Sequence, residues 1–335
     1  MPLREPDNLI GESSCFLECL EKVSRAAALN RPVLVVGERG TGKELIASRL
    51  HYLSSRWEQP FIKLNCAAIN ENLLESELFG HEAGSFTGAK GKHSGRFELA
   101  DRGTLFLDEL ATSSPLVQEK LLRVIEYGEF ERVGGNRTLT VDVRLVAATN
   151  EDLPTLAEQG KFRHDLLDRL AFDVITLPPL RERKEDLLLL AHHFAVKMSV
   201  ELGESVFKGF SEYAENQLID YHWPGNVREL KNVIERSIYL NATDSPIEAL
   251  NLDPFESPFR PGQSKKPVSS NTPNKAPAGI EFPLDLKQYS QDTEINVIKQ
   301  ALEHAQFNQK KTAELLNLTY HQLRGYLKKY SLIDG

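Results

Sequence analysis

No stretch of this 335-residue chain is apolar for long enough to cross a membrane; Leu187 to Ala191 is among the longest apolar runs, where a span needs about 20 residues. Met1 to Glu21 holds no apolar core of signal-peptide length, so a cytoplasmic protein is expected. Cysteine is scarce. Cys15, Cys19 and Cys66 form no C-x-x-C pair, which favours reduced, packed thiols over disulfides or zinc ligands. The nine histidines include His192-His193 but no H-E-x-x-H, and no protein-built metal site is expected. Positive charge is also short: 40 Lys and Arg against 48 Asp and Glu leave a formal charge of −8. The chain is not basic throughout, so any DNA contact must be local.

What is present is a composition of 41% hydrophobic and 26% charged residues, ordinary for folded domains, and a length that allows two or three of them. The apolar run Val33-Leu34-Val35-Val36 leads into Gly37-Glu38-Arg39-Gly40-Thr41-Gly42-Lys43-Glu44, after which Ile46, Leu50 and Leu53 recur at helical spacing. Strand, glycine loop and helix together form a P-loop, whose backbone N–H groups cradle phosphates while Lys43 reaches the β- and γ-phosphates. Glu44 departs from the generic motif, which has the magnesium-ligating Ser or Thr there. The metal must lean on another carboxylate.

Four further short apolar runs follow, Phe61–Leu64, Leu105–Leu107, Leu145–Ala148 and Val174–Leu177, with room for helices between them. Such alternation predicts a mostly parallel five-stranded sheet with helices on both faces, and ligands collect at the carboxyl ends of such strands. Gly103-Thr104-Leu105-Phe106-Leu107-Asp108-Glu109 has the Walker B form, with Asp108 on magnesium and Glu109 as general base for water. Asn65 ends the second strand and Thr149-Asn150 the fourth, where they could line the γ-phosphate. Glu129–Val133 and Thr138–Val143 flank Gly134-Gly135-Asn136 and read as a hairpin.

Between the motifs lies Glu77-Leu78-Phe79-Gly80-His81-Glu82-Ala83-Gly84-Ser85-Phe86-Thr87-Gly88-Ala89, in which two glycines bracket an aromatic without apolar company. An aromatic on a glycine-flanked loop suits a contact. Gly84 to Ala89 resembles the G-A-F-T-G-A loop of the AAA+ activators of sigma-54 RNA polymerase, with Ser85 in place of the usual Ala. In that family the P-loop also ends in Gly-Lys-Glu. The resemblance runs from Leu9-Ile10-Gly11-Glu12 through the Phe86 loop to Trp223-Pro224-Gly225-Asn226-Val227-Arg228-Glu229-Leu230.

The resemblance implies an α/β AAA+ P-loop NTPase that uses ATP and magnesium, with the parallel five-stranded sheet, a small helical lid and a C-terminal Fis-like helix-turn-helix. It implies that Lys43 binds phosphate, that Asp108 serves magnesium, that Glu109 activates water and that Asn65 restrains Glu109 as a switch. Thr149 and Asn150 resemble sensor I, Arg228 resembles sensor II, and Gly84, Ser85, Phe86, Thr87, Gly88 and Ala89 would contact sigma-54. Arg163 and Arg169 look like arginine fingers for a neighbouring subunit, which implies a ring, expected to be a hexamer. The residues themselves allow an ordinary pair between Asp165 and Arg169, four apart on a helix. The hairpin is a second pore-side loop in the family, though a plain surface hairpin fits its residues equally well. The likeness extends to the phage-shock branch of the family, which lacks a receiver domain and is restrained by a separate inhibitor resembling phage shock protein A. The same is expected here.

The expected domains are an α/β subdomain over 1–178, a lid over 179–253, a linker over 254–283 and a DNA-binding domain over 284–335. In the lid, Asp186–Met198 and Ser211–Tyr221 are helical in period, and Asn226 is expected to cap the helix from Val227. Trp57 lies on a polar stretch and is a candidate contact, although partial burial is expected of a tryptophan. The linker holds seven of the seventeen prolines. Beyond it, Ile295, Ile298 and Leu302 share a helical face. Two short helices then flank Asn317-Leu318-Thr319, with Tyr320–Lys329 as the recognition helix. Five basic residues, among them Lys310, Lys311, Arg324 and Lys328, stand against one acid between Gln309 and Lys329. The resemblance adds Thr319, Tyr320 and His321 to the DNA-facing set. A helical dimerisation hairpin is the other reading of this tail.

The expected function is remodelling of the sigma-54 RNA polymerase closed promoter complex to the open complex from upstream DNA, at the phage shock operon. Two alternatives are an AAA+ remodeller of another target and a DNA-binding regulator that uses ATP only as a ligand.

Overall fold

The computed structural model describes residues 9–86, 89, 91–203, 206–241, 245–255, 260, 286–305 and 308–330. Thr87 and Gly88, expected to touch sigma-54, and nearly all of the expected linker lie outside these residues. The chain divides into two compact units, Met1–Ser257 and Pro258–Gly335.

In the first unit, strands β1 (Val33–Val36), β2 (Phe61–Asn65), β3 (Thr104–Asp108), β6 (Arg144–Thr149) and β7 (Val174–Thr176) form one sheet in the order β2-β3-β6-β1-β7. Every pairing in it is parallel. Alternation along each strand sends side chains to opposite faces. Leu34, Leu105, Leu107, Leu145 and Ala147 join a core with α5 (Pro115–Tyr127) and α7 (His164–Leu170). Val33, Val35, Phe106, Val146 and Ala148 pack on the other side against α1 (Ser14–Ala27) and α2 (Lys43–Tyr52). Both faces are covered, which is why the central strands are apolar throughout rather than alternating. Leu53 is an exception to the expected pattern: α2 ends at Tyr52 and Leu53 is exposed, while His51 is buried in its place against Thr104.

Arg144 begins β6 and is buried. Its guanidinium donates to Ala26 O at 2.8 Å, Ala27 O at 3.0 Å and Leu50 O at 3.4 Å, fastening the ends of two helices to the sheet. A positive group suits helix C-termini. Strands β4 (Glu129–Glu131) and β5 (Thr138–Thr140) form the expected antiparallel hairpin outside the sheet.

After β7, a 3-10 turn at Leu180–Glu182 opens the lid, built from α8 (Lys184–Glu201), α9 (Glu212–Asp220) and α10 (Asn226–Leu240) around Trp223. The Trp223 indole N–H donates to Leu218 O at 2.8 Å, so this large buried ring leaves no polar atom unpaired. Asn226 is not the cap it was expected to be. It is itself the first helical residue, in left-handed conformation with φ 52°, and its side chain points back to the P-loop.

The second unit holds α11 (Leu286–His304), α12 (Gln309–Leu315) and α13 (Tyr320–Lys329) around Ile298, Leu302, Ala313, Leu323 and Leu327. Among the described residues no helix is long and apolar enough to cross a membrane.

Candidate active site

The P-loop follows β1 at the carboxyl edge of the sheet, flanked by β6 and β7. Gly37 N–H donates to Thr149 O at 3.2 Å, so the loop begins on the neighbouring strand's end. Lys43, the first residue of α2, is buried and donates from Nζ to Gly37 O at 2.8 Å and Glu38 O at 3.1 Å. These are its own loop's carbonyls. Burial lowers its pKa, opposed by the negative charges of Asp108 and Glu109. A phosphate would satisfy this half-paired cation better than two carbonyls do.

Asp108 ends β3, which pairs with β6 on one side and β2 on the other, and Asn65 is its register partner on β2. Asp108 Oδ1 accepts from Glu109 N at 3.0 Å, and burial raises its pKa despite that bond and nearby Lys43. A partly buried carboxylate with one hydrogen bond fits a hard cation. Glu44 does not fit, since its carboxylate accepts from Lys63 at 2.9 Å. Glu109 sits in left-handed backbone with φ 52°, a strained conformation for a non-glycine residue that sets its direction independently of Asp108. Cys66 lies buried beneath the pair, and burial first, then Asp108 and Glu109, pushes its thiol up to about 12. It is inert at neutral pH.

The Asn65 carbonyl accepts from Ala67 N at 2.9 Å and Ala68 N at 3.2 Å, capping a short turn. The side-chain oxygen of Asn65 is held by that turn. Thr149 is buried and accepts from Glu151 N at 3.0 Å; Asn150 follows it at the sheet edge, half-buried. Arg228 donates its backbone N–H to Gly40 O at 3.3 Å, which sets the lid directly on the P-loop. A Cβ at Gly40 would lie 2.2 Å from Gly225 O, so only glycine permits this approach.

Arg163 immediately precedes α7 and Arg169 lies in its last turn. Asp165 does not pair with Arg169: it binds Arg163 at 2.7 Å, and Arg169 binds Glu126 on α5 at 2.7 Å. Both arginines are solvent-accessible, and neither touches this chain's own P-loop.

From Asn65 the chain passes through one 3-10 turn and α3 (Glu71–Phe79) into the Phe86 loop. Phe86 is 38% exposed and rests edge-on against the His81 ring at 5.0 Å, and His81 Nδ1 is 2.7 Å from Ser76 Oγ. Gly84 N–H donates to Ala89 O at 2.8 Å and Ala89 N–H to Phe86 O at 3.0 Å, closing the loop on itself. The loop's root is fastened to the β4–β5 hairpin. Glu82 N–H donates to Val133 O at 3.1 Å, and a Cβ at Gly134, which has φ 73°, would lie 2.5 Å from Ser85 Cβ. Arg132 is buried, donates to Glu82 at 2.8 Å and grips Glu98 with two nitrogens. Burial alone would raise Glu98, and the Arg132 bonds outweigh it to lower its pKa. Neither Arg132 nor these two acids stands out in the sequence, since nothing in their spacing connects a hairpin to a distant loop. Trp57, expected to be partly buried, is 56% exposed beside exposed Tyr52 and Leu53.

On α13, His321, Arg324 and Lys328 are exposed and fall on one face, opposite buried Leu323 and Leu327. Lys310 and Lys311 on α12 are also exposed. Thr319, exposed, also starts the helix. Its hydroxyl accepts from Gln322 N at 3.3 Å while Gln322 Oε1 accepts from Thr319 N at 2.9 Å, a capping box that starts the helix. Tyr320 Oη bonds Gln309 at 3.3 Å, joining the two helices.

A family model of the sigma-54 interaction domain matches residues 9–176. The chain belongs to the sigma-54-dependent AAA+ activators. Models of the AAA+ ATPase lid domain and of the Fis family of bacterial regulatory proteins match residues 181–270 and 291–330. The chain is 59% identical to the Psp operon transcriptional activator of Escherichia coli, over 97% of this chain and 98% of that protein. It is 44% identical to the nitrogen fixation protein AnfA of Azotobacter vinelandii, over 98% of this chain and 58% of that longer protein. A crystal structure of NtrX from Brucella abortus in complex with ATP is similar with a TM-score of 0.67 at 30% identity, covering 98% of this chain and 70% of that one. As a member of the sigma-54 activators, the chain is a nucleotide-binding transcriptional regulator with ATPase chemistry, and its helix-turn-helix tail is the DNA-binding part.

Proposed function

We propose that this activator couples ATP hydrolysis to remodelling of the sigma-54 RNA polymerase closed promoter complex into the open complex, acting in the cytoplasm as a ring bound upstream of its promoter. The observation that carries this reading is the short path between chemistry and output. Asn65 is in register with Asp108, and one helix separates it from the loop that bears Phe86.

In this reading Lys43 and the P-loop amides hold the triphosphate, Arg228 and Asn150 meet it from the lid and the β6 end, and Asp108 would hold magnesium. Bound there, magnesium would neutralise charge on the β- and γ-phosphates. Glu109 takes the proton from the attacking water. Arg163 and Arg169 exchange their carboxylate partners for the γ-phosphate of the adjoining subunit, so the isolated chain turns over slowly. A few kcal/mol of differential loop affinity between nucleotide states is enough to lift Phe86 from His81. Lys310, Lys311, Thr319, Tyr320, His321, Arg324 and Lys328 bind upstream DNA. A hexameric ring and restraint by an inhibitor like phage shock protein A belong to the same proposal, the latter resting on the likeness to the Psp operon activator. The exposed Trp57 surface is its candidate landing point.

The test is Phe86→Ala in a purified system. ATP turnover is expected to continue while sigma-54 binding and promoter melting are lost; melting at the normal rate would refute the role of the loop.

A further inference from the structure

The lid touches the P-loop at more than the sensor arginine. Arg181, in the turn that joins β7 to the lid, places both terminal nitrogens on the Glu38 carboxylate at 2.9 Å and 2.6 Å. Asn226 donates from the same amide nitrogen to Glu38 Oε2 at 3.1 Å and Arg39 O at 3.0 Å, and its carbonyl accepts from Leu180 N at 2.8 Å. One buried side chain thus bonds the P-loop, the connecting turn and, through its own backbone, the start of α10. Arg228 lies two residues further on, in the first turn of that helix.

We infer that Arg181 is a positioning residue of the nucleotide site, which latches the lid to Glu38 of the P-loop so that Arg228 is presented to the phosphates. The inference rests on the phosphate-reading role proposed for Arg228.

Two features support it. The ion pair is half-exposed, with side-chain accessibilities of 34% for Arg181 and 43% for Glu38, and such pairs contribute little to global stability. Its fork geometry is therefore better spent on orientation than on holding the fold together. The contact beside the latch is also tight, because a Cβ at Gly40 would lie 2.2 Å from Gly225 O. A rotation of α10 must break these bonds before Arg228 can leave.

The experiment is a double-mutant cycle in the full chain, read as equilibrium binding of a fluorescent ATP analogue with magnesium. Arg181→Ala is expected to weaken binding about tenfold, the size of losing one charge-assisted bond. Arg228→Ala also weakens it, and the double variant is no weaker than Arg228→Ala alone, since a latch with nothing to present has no effect. Arg181→Lys, which keeps the charge and loses the fork, falls between wild type and Arg181→Ala. It also supplies the measurement if the alanine variant does not fold. Additive losses, or wild-type affinity in both Arg181 variants, overturn the latch while leaving the Arg228 reading intact. Wild-type affinity in Arg228→Ala refutes that reading instead, and the latch with it.

Discussion

Asp108 and Thr149 end strands that are buried along their length, whereas Phe86 stands on a loop held, among the described residues, by a ring contact with His81, a few backbone bonds and the Arg132 ion pairs. The floor of the nucleotide site cannot move without opening the sheet. The Phe86 loop can move by exchanging polar contacts of modest strength for others. On the proposed function, rigid parts carry the chemistry and weakly held parts the output, and helix α3 joins the two. The following variants break or sharpen that contrast.

The largest effects are expected at the nucleotide site. Lys43→Ala should weaken ATP binding roughly a hundredfold, the loss of a charged bond in a partly buried site, measured by titration with labelled nucleotide. Arg169→Ala should keep ATP binding and lower turnover in assembled rings about 10³-fold. Normal turnover in such rings would remove the trans-acting role. On the proposed output side, Arg132→Ala frees the loop root and leaves Glu98 without its ion-pair partner. It should destabilise the chain by about 2 kcal/mol, less than the roughly 3–5 of a fully buried pair because Glu82 is half-exposed. It should also make the Phe86 loop more sensitive to protease. Loss of stability with an unchanged loop would show that the hairpin does not restrain it.

Much of this contrast was legible in the sequence. Each rigid motif is local: an apolar strand followed at once by its functional residues, so Lys43, Asp108, Glu109, Thr149 and Asn150 fell where a parallel sheet puts them. The five strands and the lid followed from the same runs. What stayed hidden depends on partners far apart in the chain. Asn226 looked like a cap because Asn caps helices, yet its side chain serves Glu38 and Leu180 in other segments. The spacing of Asp165 and Arg169 suggested a pair, but Glu126 from α5 is closer to Arg169. Residue type alone predicts a partly buried Trp57, and only the packing shows that it is 56% exposed.

The smallest effect concerns pH. Hydrogen bonds from Arg181 first, and from Asn226, lower the Glu38 carboxyl from 4.5 to about 2. Its folded value lies below the unfolded one, so the latch contributes stability above about pH 4.5 and loses it as pH falls toward 2. Thermal melting from pH 7 to pH 3 should therefore decline slightly less in Arg181→Ala than in wild type. Equal slopes would mean that the ion pair is not formed in solution.

The central claim is that ATP hydrolysis at the P-loop drives the Phe86 loop against sigma-54. Its most direct test is promoter melting by purified sigma-54 RNA polymerase, with and without this protein, in ATP or a non-hydrolysable analogue. Melting that requires both the protein and hydrolysis is the predicted result. Melting that proceeds with Glu109→Ala, or none at all while the wild-type protein turns over ATP and binds the promoter, would contradict it.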